Sequence, residues 1–262
     1  MLGAIAGDII GSVYEGKSIK TKNFPLFDRQ SRFTDDTVLT VAVADVILHT
    51  EPVPPSSKYI DQFKWYYSCY QYAGYGRNFS NWAKSHHRQP YNSFGNGAAM
   101  RVSPIGFAFD DLETVLQQAQ RSAEVTHNHP EGIKGAQATA AAIFLARTGH
   151  DQAGIKSYIQ ATFGYNLERT LEEIRPTYQY DATCSGSVPQ AIIAFLESTN
   201  FEDAIRNAIS IGGDSDTIAC ITGGIAQAYY GSVPKAIAEH TLSHLDEHLH
   251  NITEKFLYKY CL

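Results

Sequence analysis

Apolar residues recur at helical spacing along most of the chain, most clearly over residues 37–49, 132–147, 188–198, 201–210 and 216–230. Alternating, strand-like patterns are scarce. The punctuation agrees: "TGHD" at 148–151 follows the run ending near Arg147, and "STN" at 198–200 precedes "FEDAIRNAIS". The pattern predicts an all-α fold of roughly ten or more helices. Residues 136–146, "AQATAAAIFLA", are small and apolar on nearly every face, which predicts a helix at the centre of a bundle. The opening "MLGAIAGDIIGSV" lacks a basic n-region and carries Asp8 inside its apolar segment, so it reads as a buried helix rather than a signal peptide. Non-helical stretches are expected near residues 16–33, 50–56, 85–104 and 175–187, where function tends to sit when a rigid scaffold holds the loops.

With 262 residues and 44% hydrophobic content, the chain can bury a substantial core, and no repeat, low-complexity tract or linker divides it. A single domain over 1–262 is expected. A net charge of −6 argues against a nucleic-acid partner, because that affinity rests on clustered Lys and Arg. No run of eighteen apolar residues exists to span a membrane. Cys69, Cys184, Cys220 and Cys261 are widely spaced, which disfavours a zinc ribbon or disulfide scaffold and fits a reducing, cytoplasmic compartment.

Two acidic clusters stand out, each at the predicted start of an apolar helix: "FTDDT", with Thr34, Asp35 and Asp36, and "GGDSDT", with Asp214, Asp216 and Thr217. Capping by short polar side chains is the ordinary account of one acid at a helix N-terminus. Two acids and a hydroxyl per helix start exceed that need. If the clusters converge, like charges about 4 Å apart repel by roughly 4 kcal/mol at an effective dielectric near 20, a cost that bound cations would remove. Carboxylate and hydroxyl oxygens prefer Mg²⁺, Mn²⁺ or Ca²⁺ to zinc or copper. Nearly 180 residues separate the clusters, and spacing alone does not bring them together.

The chain resembles the ADP-ribosylglycohydrolase family over almost its whole length. The resemblance rests on five motifs in order: "GAIAGDIIGSVYEG", "FTDDT", "YNSFGNGAAMRVSPIG", "THNHPEGIKGAQA" and "SIGGDSDTIACITGGIAQAYYG". It implies a compact orthogonal helical bundle with a centre of two Mg²⁺ or Mn²⁺ ions at a cleft. Carried onto this chain, it implies Thr34, Asp35, Asp36, Asp214, Asp216 and Thr217 as metal ligands. The implied reaction is hydrolysis of the glycosidic bond at C1″ of ADP-ribose on a protein side chain or small molecule, reversing ADP-ribosylation, by a protein expected to be monomeric.

Glu15 matches a first-loop glutamate of some members, and the resemblance assigns it acid–base or water-orienting work beside Asp36 in catalysis. By itself it would read as an exposed loop glutamate. The "SFGNGAAMR" stretch, with Ser93, Gly95, Asn96, Gly97, Met100 and Arg101, becomes the pyrophosphate and ribose contact; alone, a Gly-rich turn is most often a turn. Arg101 is expected to meet a phosphate or to hold the loop by an internal salt bridge. His127 matches a family histidine at the ADP-ribose site, where a neutral imidazole can hydrogen-bond a ligand. Two alternatives stay open: a two-metal nucleotide phosphoesterase, and a non-catalytic ADP-ribose-binding relative.

Two further features are read as structural. His240, His244 and His248 are expected on one solvated face of a single helix. The tyrosine-rich "WYYSCYQYAGYG" at 65–76 is expected to supply mostly core and rim packing.

Overall fold

The small-residue run at 136–146 lies on a helix buried on nearly every side, and Ala136, Ala138, Ala140, Ala141, Ala142 and Ile143 expose no surface. Small side chains let neighbouring helices pack close to it from several directions. The computed structural model describes residues 1–50 and 52–261 and shows, among them, fifteen helices and no β-strand. In chain order these are α1 (Leu2–Gly11), α2 (Asp35–His49), α3 (Ser56–Cys69), α4 (Arg77–Lys84), α5 (Gly97–Met100), α6 (Ser103–Ala108), α7 (Leu112–Glu124) and α8 (Pro130–Arg147). They continue as α9 (Gln152–Phe163), α10 (Leu171–Ile174), α11 (Cys184–Leu196), α12 (Phe201–Ile211), α13 (Ser215–Tyr230), α14 (Lys235–Ser243) and α15 (Glu247–Tyr260). The all-α reading of the hydrophobic pattern holds.

Helix starts differ from the apolar runs because capping residues, not apolar ones, begin helices. Thr34 accepts from the backbone of Asp36, so α2 opens at Asp35 and both acids lie in its first turn. Thr183 accepts from the backbone of Gly186, so α11 opens at Cys184, four residues before the apolar run, and continues through Pro189 to Leu196 rather than residue 198. The expected loop at 85–104 contains the single turn α5 and the start of α6.

Helix α1 packs along α13, which lies more than 200 residues later in the chain. Gly3, Gly7 and Gly11 form a stripe along α1, and a side chain at any of them would overlap the backbone of α13 at Gly223, Ala219 or Asp216. Backbone therefore lies against backbone along this seam. It places Asp8 of α1 beside the acidic start of α13.

The three histidines do not share one helix. His240 lies on α14, His244 caps the end of α14, and His248 belongs to α15. A break at residues 244–246 interrupts the four-residue spacing. His240 and His244 stack on Phe27, with ring centroids 4.2 and 5.8 Å apart, and fasten the loop before α2 to α14. His248 packs instead against Trp65 and Tyr66. The tyrosine-rich segment divides as expected: Tyr66 and Tyr67 are buried, whereas Tyr72 is fully exposed at the rim of a cleft. No helix among the described residues is long and apolar enough to cross a membrane.

Candidate metal centre and cleft

The N-termini of α2 and α13 meet at the bottom of a cleft of about 390 Å³. The hydroxyl of Thr217 donates to Asp36 Oδ2 at 3.3 Å, a direct link between residues 181 positions apart. Carboxylate oxygens of Asp8, Asp36 and Asp216 lie within 4.8 Å of one another, and so do those of Glu15, Asp214 and Asp216. The two acidic clusters of the sequence therefore form one site, with Asp216 shared between the two groups of oxygens.

Capping does not account for these acids. Asp214 stands at the N-cap of α13, yet its side chain caps nothing; its Oδ2 accepts from the Asn96 amide at 2.7 Å. Asp36 Oδ1 is buried and has no hydrogen-bond partner. An orphaned carboxylate oxygen in a nearly dry site is costly unless a cation meets it. No Lys or Arg forms a salt bridge with Asp8, Asp35, Asp36, Asp214 or Asp216 among the described residues. Burial, reinforced by the negative charge of neighbouring acids, drives Asp36 and Asp216 well above the usual carboxylate range and pushes Asp35 up to about 8. This donor set, all oxygen and able to give up its protons when a cation relieves the repulsion, fits a hard divalent cation.

Asp8 is the residue that the sequence reading missed as part of this centre. It is fully buried. Its carboxylate accepts from the Thr34 backbone at 2.9 Å, the Thr34 hydroxyl at 2.7 Å, and both the backbone and hydroxyl of Thr37. Three of these donors meet Oδ2 and one meets Oδ1, so Oδ1 keeps room for a further contact beside Asp36 and Asp216. Asp8 thus clamps the first turn of α2 and orients Thr34 and Asp36. The signal was visible as a charge inside an apolar helix, but its partner could not be named without the fold.

Glu15 is exposed, four residues past the end of α1 and near the start of the loop that leads to α2. Burial, then the charge of Asp214, raises its pKa, and Arg32 opposes the shift. The backbone of Asp35 donates to the Ala73 carbonyl at 2.8 Å, so the loop between α3 and α4 forms one wall. Tyr180 and Tyr72 stand on the rim, 59% and 100% exposed; Tyr72 belongs to the tyrosine-rich stretch expected there, whereas Tyr180 was not singled out from the sequence.

Ser93, Gly95, Asn96, Gly97, Met100 and Arg101 line the same cleft. The Gly95 backbone donates to Ser93 Oγ at 3.1 Å, and an isolated bridge joins Gly95 to Thr183. The Asn96 amide also donates to Ser187 Oγ at 2.9 Å, so Asn96 fixes Asp214 against α11. The Met100 carbonyl accepts from Thr40 Oγ1 and Cys220 Sγ, both at 3.3 Å, which ties the end of α5 to the core. His127 is buried, with Nδ1 2.7 Å from Thr126 Oγ1. Burial and the charge of Arg101 hold it well below the ordinary histidine range, so the ring is neutral.

Arg101 makes no salt bridge among the described residues, which corrects one of the two readings of it. It is completely buried, its guanidinium stacks on Phe63 at 4.2 Å, and its Nη2 donates to Ser122 O and Thr126 Oγ1, both at 2.8 Å. Burial lowers its pKa to about 10, which leaves it charged at neutral pH.

The geometry accords with what the chain is similar to. Over 88% of its length it is 27% identical to ADP-ribosylhydrolase ARH3 of Gallus gallus, covering 84% of that protein. It is 26% identical to ADP-ribosylhydrolase ARH3 of Homo sapiens, again over 88% of this chain and 84% of that one. It is also 28% identical to an uncharacterised protein of Archaeoglobus fulgidus, over 90% of this chain. A solved structure described as an ADP-ribosylglycohydrolase-related protein complex superposes with a TM-score of 0.72, covering 98% of this chain and 96% of that one at 24% identity, and so shares the fold. The family model for ADP-ribosylglycohydrolase matches residues 1–261, and the chain belongs to the ADP-ribosylglycohydrolase family.

Proposed function

We propose that this protein is a divalent-metal-dependent hydrolase that cleaves the glycosidic bond at C1″ of ADP-ribose attached to a protein side chain or small molecule, and so reverses ADP-ribosylation. The observation that carries this reading is the meeting of Asp36 and Asp216 on two helix starts, with no basic side chain between them and Glu15 beside them. Thr34, Asp35, Asp36, Asp214, Asp216 and Thr217 would hold two Mg²⁺ or Mn²⁺ ions. Such ions, when bound, supply Lewis acidity, grip vicinal hydroxyls and lower the pKa of water.

The chain's own residues supply the rest. Glu15 is acidic, accessible and held above its ordinary pKa, so it can take a proton from water or give one to the departing atom as positive charge develops on the sugar. Asp8 holds Thr34 and Asp36 in place, and Asn96 holds Asp214. The Gly95–Gly97 turn offers a close approach for the pyrophosphate. A cytoplasmic monomer acting on ADP-ribosylated substrates, with no nucleic-acid partner, completes the proposal.

Incubation with arginine-linked, serine-linked, O-acetyl and polymeric ADP-ribose, with Mg²⁺, Mn²⁺ or chelator, tests it by product. Free ADP-ribose is the expected product, and it disappears in chelator and in Asp36→Asn and Asp216→Asn. AMP or inorganic phosphate as the product would make the protein a phosphoesterase. ADP-ribose binding without hydrolysis of any linkage would make it a binding protein.

A further inference from the structure

A chain of three groups runs from the core to the cleft: Arg101 Nη2 donates to Thr126 Oγ1 at 2.8 Å, and Thr126 Oγ1 lies 2.7 Å from His127 Nδ1. Arg101 is a donor only, so Thr126 must accept from it. The Thr126 hydroxyl then has one proton left to give. Its candidate acceptors are His127 Nδ1, the Ala123 carbonyl at 3.5 Å and the Tyr91 hydroxyl. The carbonyl is at the outer limit for a hydroxyl donor, whereas 2.7 Å is an ordinary donor–acceptor distance for a hydroxyl hydrogen bond. The Tyr91 phenol carries its own proton and does not require that of Thr126.

We infer that Arg101 and Thr126 act as positioning residues that fix neutral His127 as the Nε2–H tautomer, making it a hydrogen-bond donor into the cleft for an acceptor oxygen of the ligand. The opposite side of the ring agrees. A side chain added at Gly97 would stand 3.1 Å from Nε2, and one at Gly95 3.7 Å away, so the two glycines leave space in front of that atom. The His127 ring lines the cleft. A neutral donor suits a phosphate or sugar oxygen, and it rejects a ligand group that can only donate.

The identity of the ligand as ADP-ribose rests on the proposed function, whereas the tautomer does not. Nitrogen NMR of the full ¹⁵N-labelled chain tests the two separately. In the free protein the expected spectrum has the proton on Nε2 and Nδ1 shifted as a hydrogen-bonded acceptor. A proton on Nδ1 overturns the inference before any variant is made. Thr126→Val should move the Nδ1 signal to that of a free acceptor, and Thr126→Ser should restore it. An unmoved Nδ1 signal in a folded Thr126→Val overturns the relay.

On adding ADP-ribose, the Nε2–H proton should move downfield and exchange more slowly with water, and Thr126→Val should weaken ADP-ribose binding roughly threefold to tenfold, the scale of one hydrogen bond. Binding of ADP-ribose with the Nε2–H signal unchanged overturns the donor role. Absence of any ADP-ribose binding would instead overturn the proposed function and, with it, the ligand named here.

Discussion

Asp8 accepts hydrogen bonds from both the backbone N–H and the hydroxyl of Thr34, at 2.9 and 2.7 Å, from a position at which its carboxylate is fully buried. The contact joins the first helix of the chain to the first turn of α2. It carries a direct prediction. Asp8→Ala leaves the backbone N–H groups of Thr34 and Thr37 without their acceptor, at about 1–3 kcal/mol for each buried group. Thermal unfolding should show a loss of that order, and Mn²⁺ titration should show affinity weakened roughly 10- to 100-fold. Unchanged Mn²⁺ affinity would mean that Asp8 does not orient the centre.

Glu15→Gln removes the acid–base group and keeps its shape. Turnover should fall about 10²- to 10⁴-fold while the protein still binds ADP-ribose, measured by single-turnover kinetics and calorimetry. Near-normal turnover would place the proton transfers elsewhere.

The acids also set a pH dependence for the ion-free protein. Burial and mutual repulsion raise Asp36 and Asp216 well above the ordinary range, and Asp35 to about 8. The folded state therefore holds protons that the unfolded chain releases at an ordinary carboxylate pKa near 4. Stability from these groups is fully present below that value and is lost as pH rises toward 8. In chelator, Tm should fall between pH 5.5 and pH 8, and saturating Mn²⁺ should flatten or reverse the slope. A Tm in chelator that rises over this window would contradict the crowding of these carboxylates.

Gly7→Ala tests the seam between α1 and α13. The added methyl group would overlap the Ala219 backbone, and backbone cannot rotate away as a side chain does. Overpacking of this kind costs about 1–3 kcal/mol, or roughly 2–4 °C of Tm for each kcal/mol in a domain of about this size. The response to Mn²⁺ should weaken as well, because Asp8 and Asp216 lie on the two helices being forced apart. A substitution without effect on either quantity would show that the two helices have room to separate.

Much of this protein is legible in its sequence because the relevant signals are local. Helical periodicity marks α2, α8, α11, α12 and α13, and the paired acids at residues 35–36 and 214–216 exceed what capping needs whatever the fold. The histidine series failed because an even spacing of four carries no information about the break after Ser243. The salt-bridge reading of Arg101 failed for a similar reason: the local sequence does not show that its partners are the Phe63 ring, the Ser122 carbonyl and the Thr126 hydroxyl rather than an acid.

Tertiary structure decided what met what. Residues 8, 34–37 and 214–217 share one site because glycines at 3, 7 and 11 let α1 lie directly on α13 while Asp8 and Thr217 hold the start of α2, and no local pattern encodes which helix will fill that groove. The same holds for His127, which burial and the charge of Arg101 keep neutral and whose Nδ1 meets Thr126 only once these segments pack. Helix formation follows from short-range sterics and hydrogen bonding along the chain. The sharing of charge and hydrogen bonds among these residues follows from burial, which arises only when distant segments pack together.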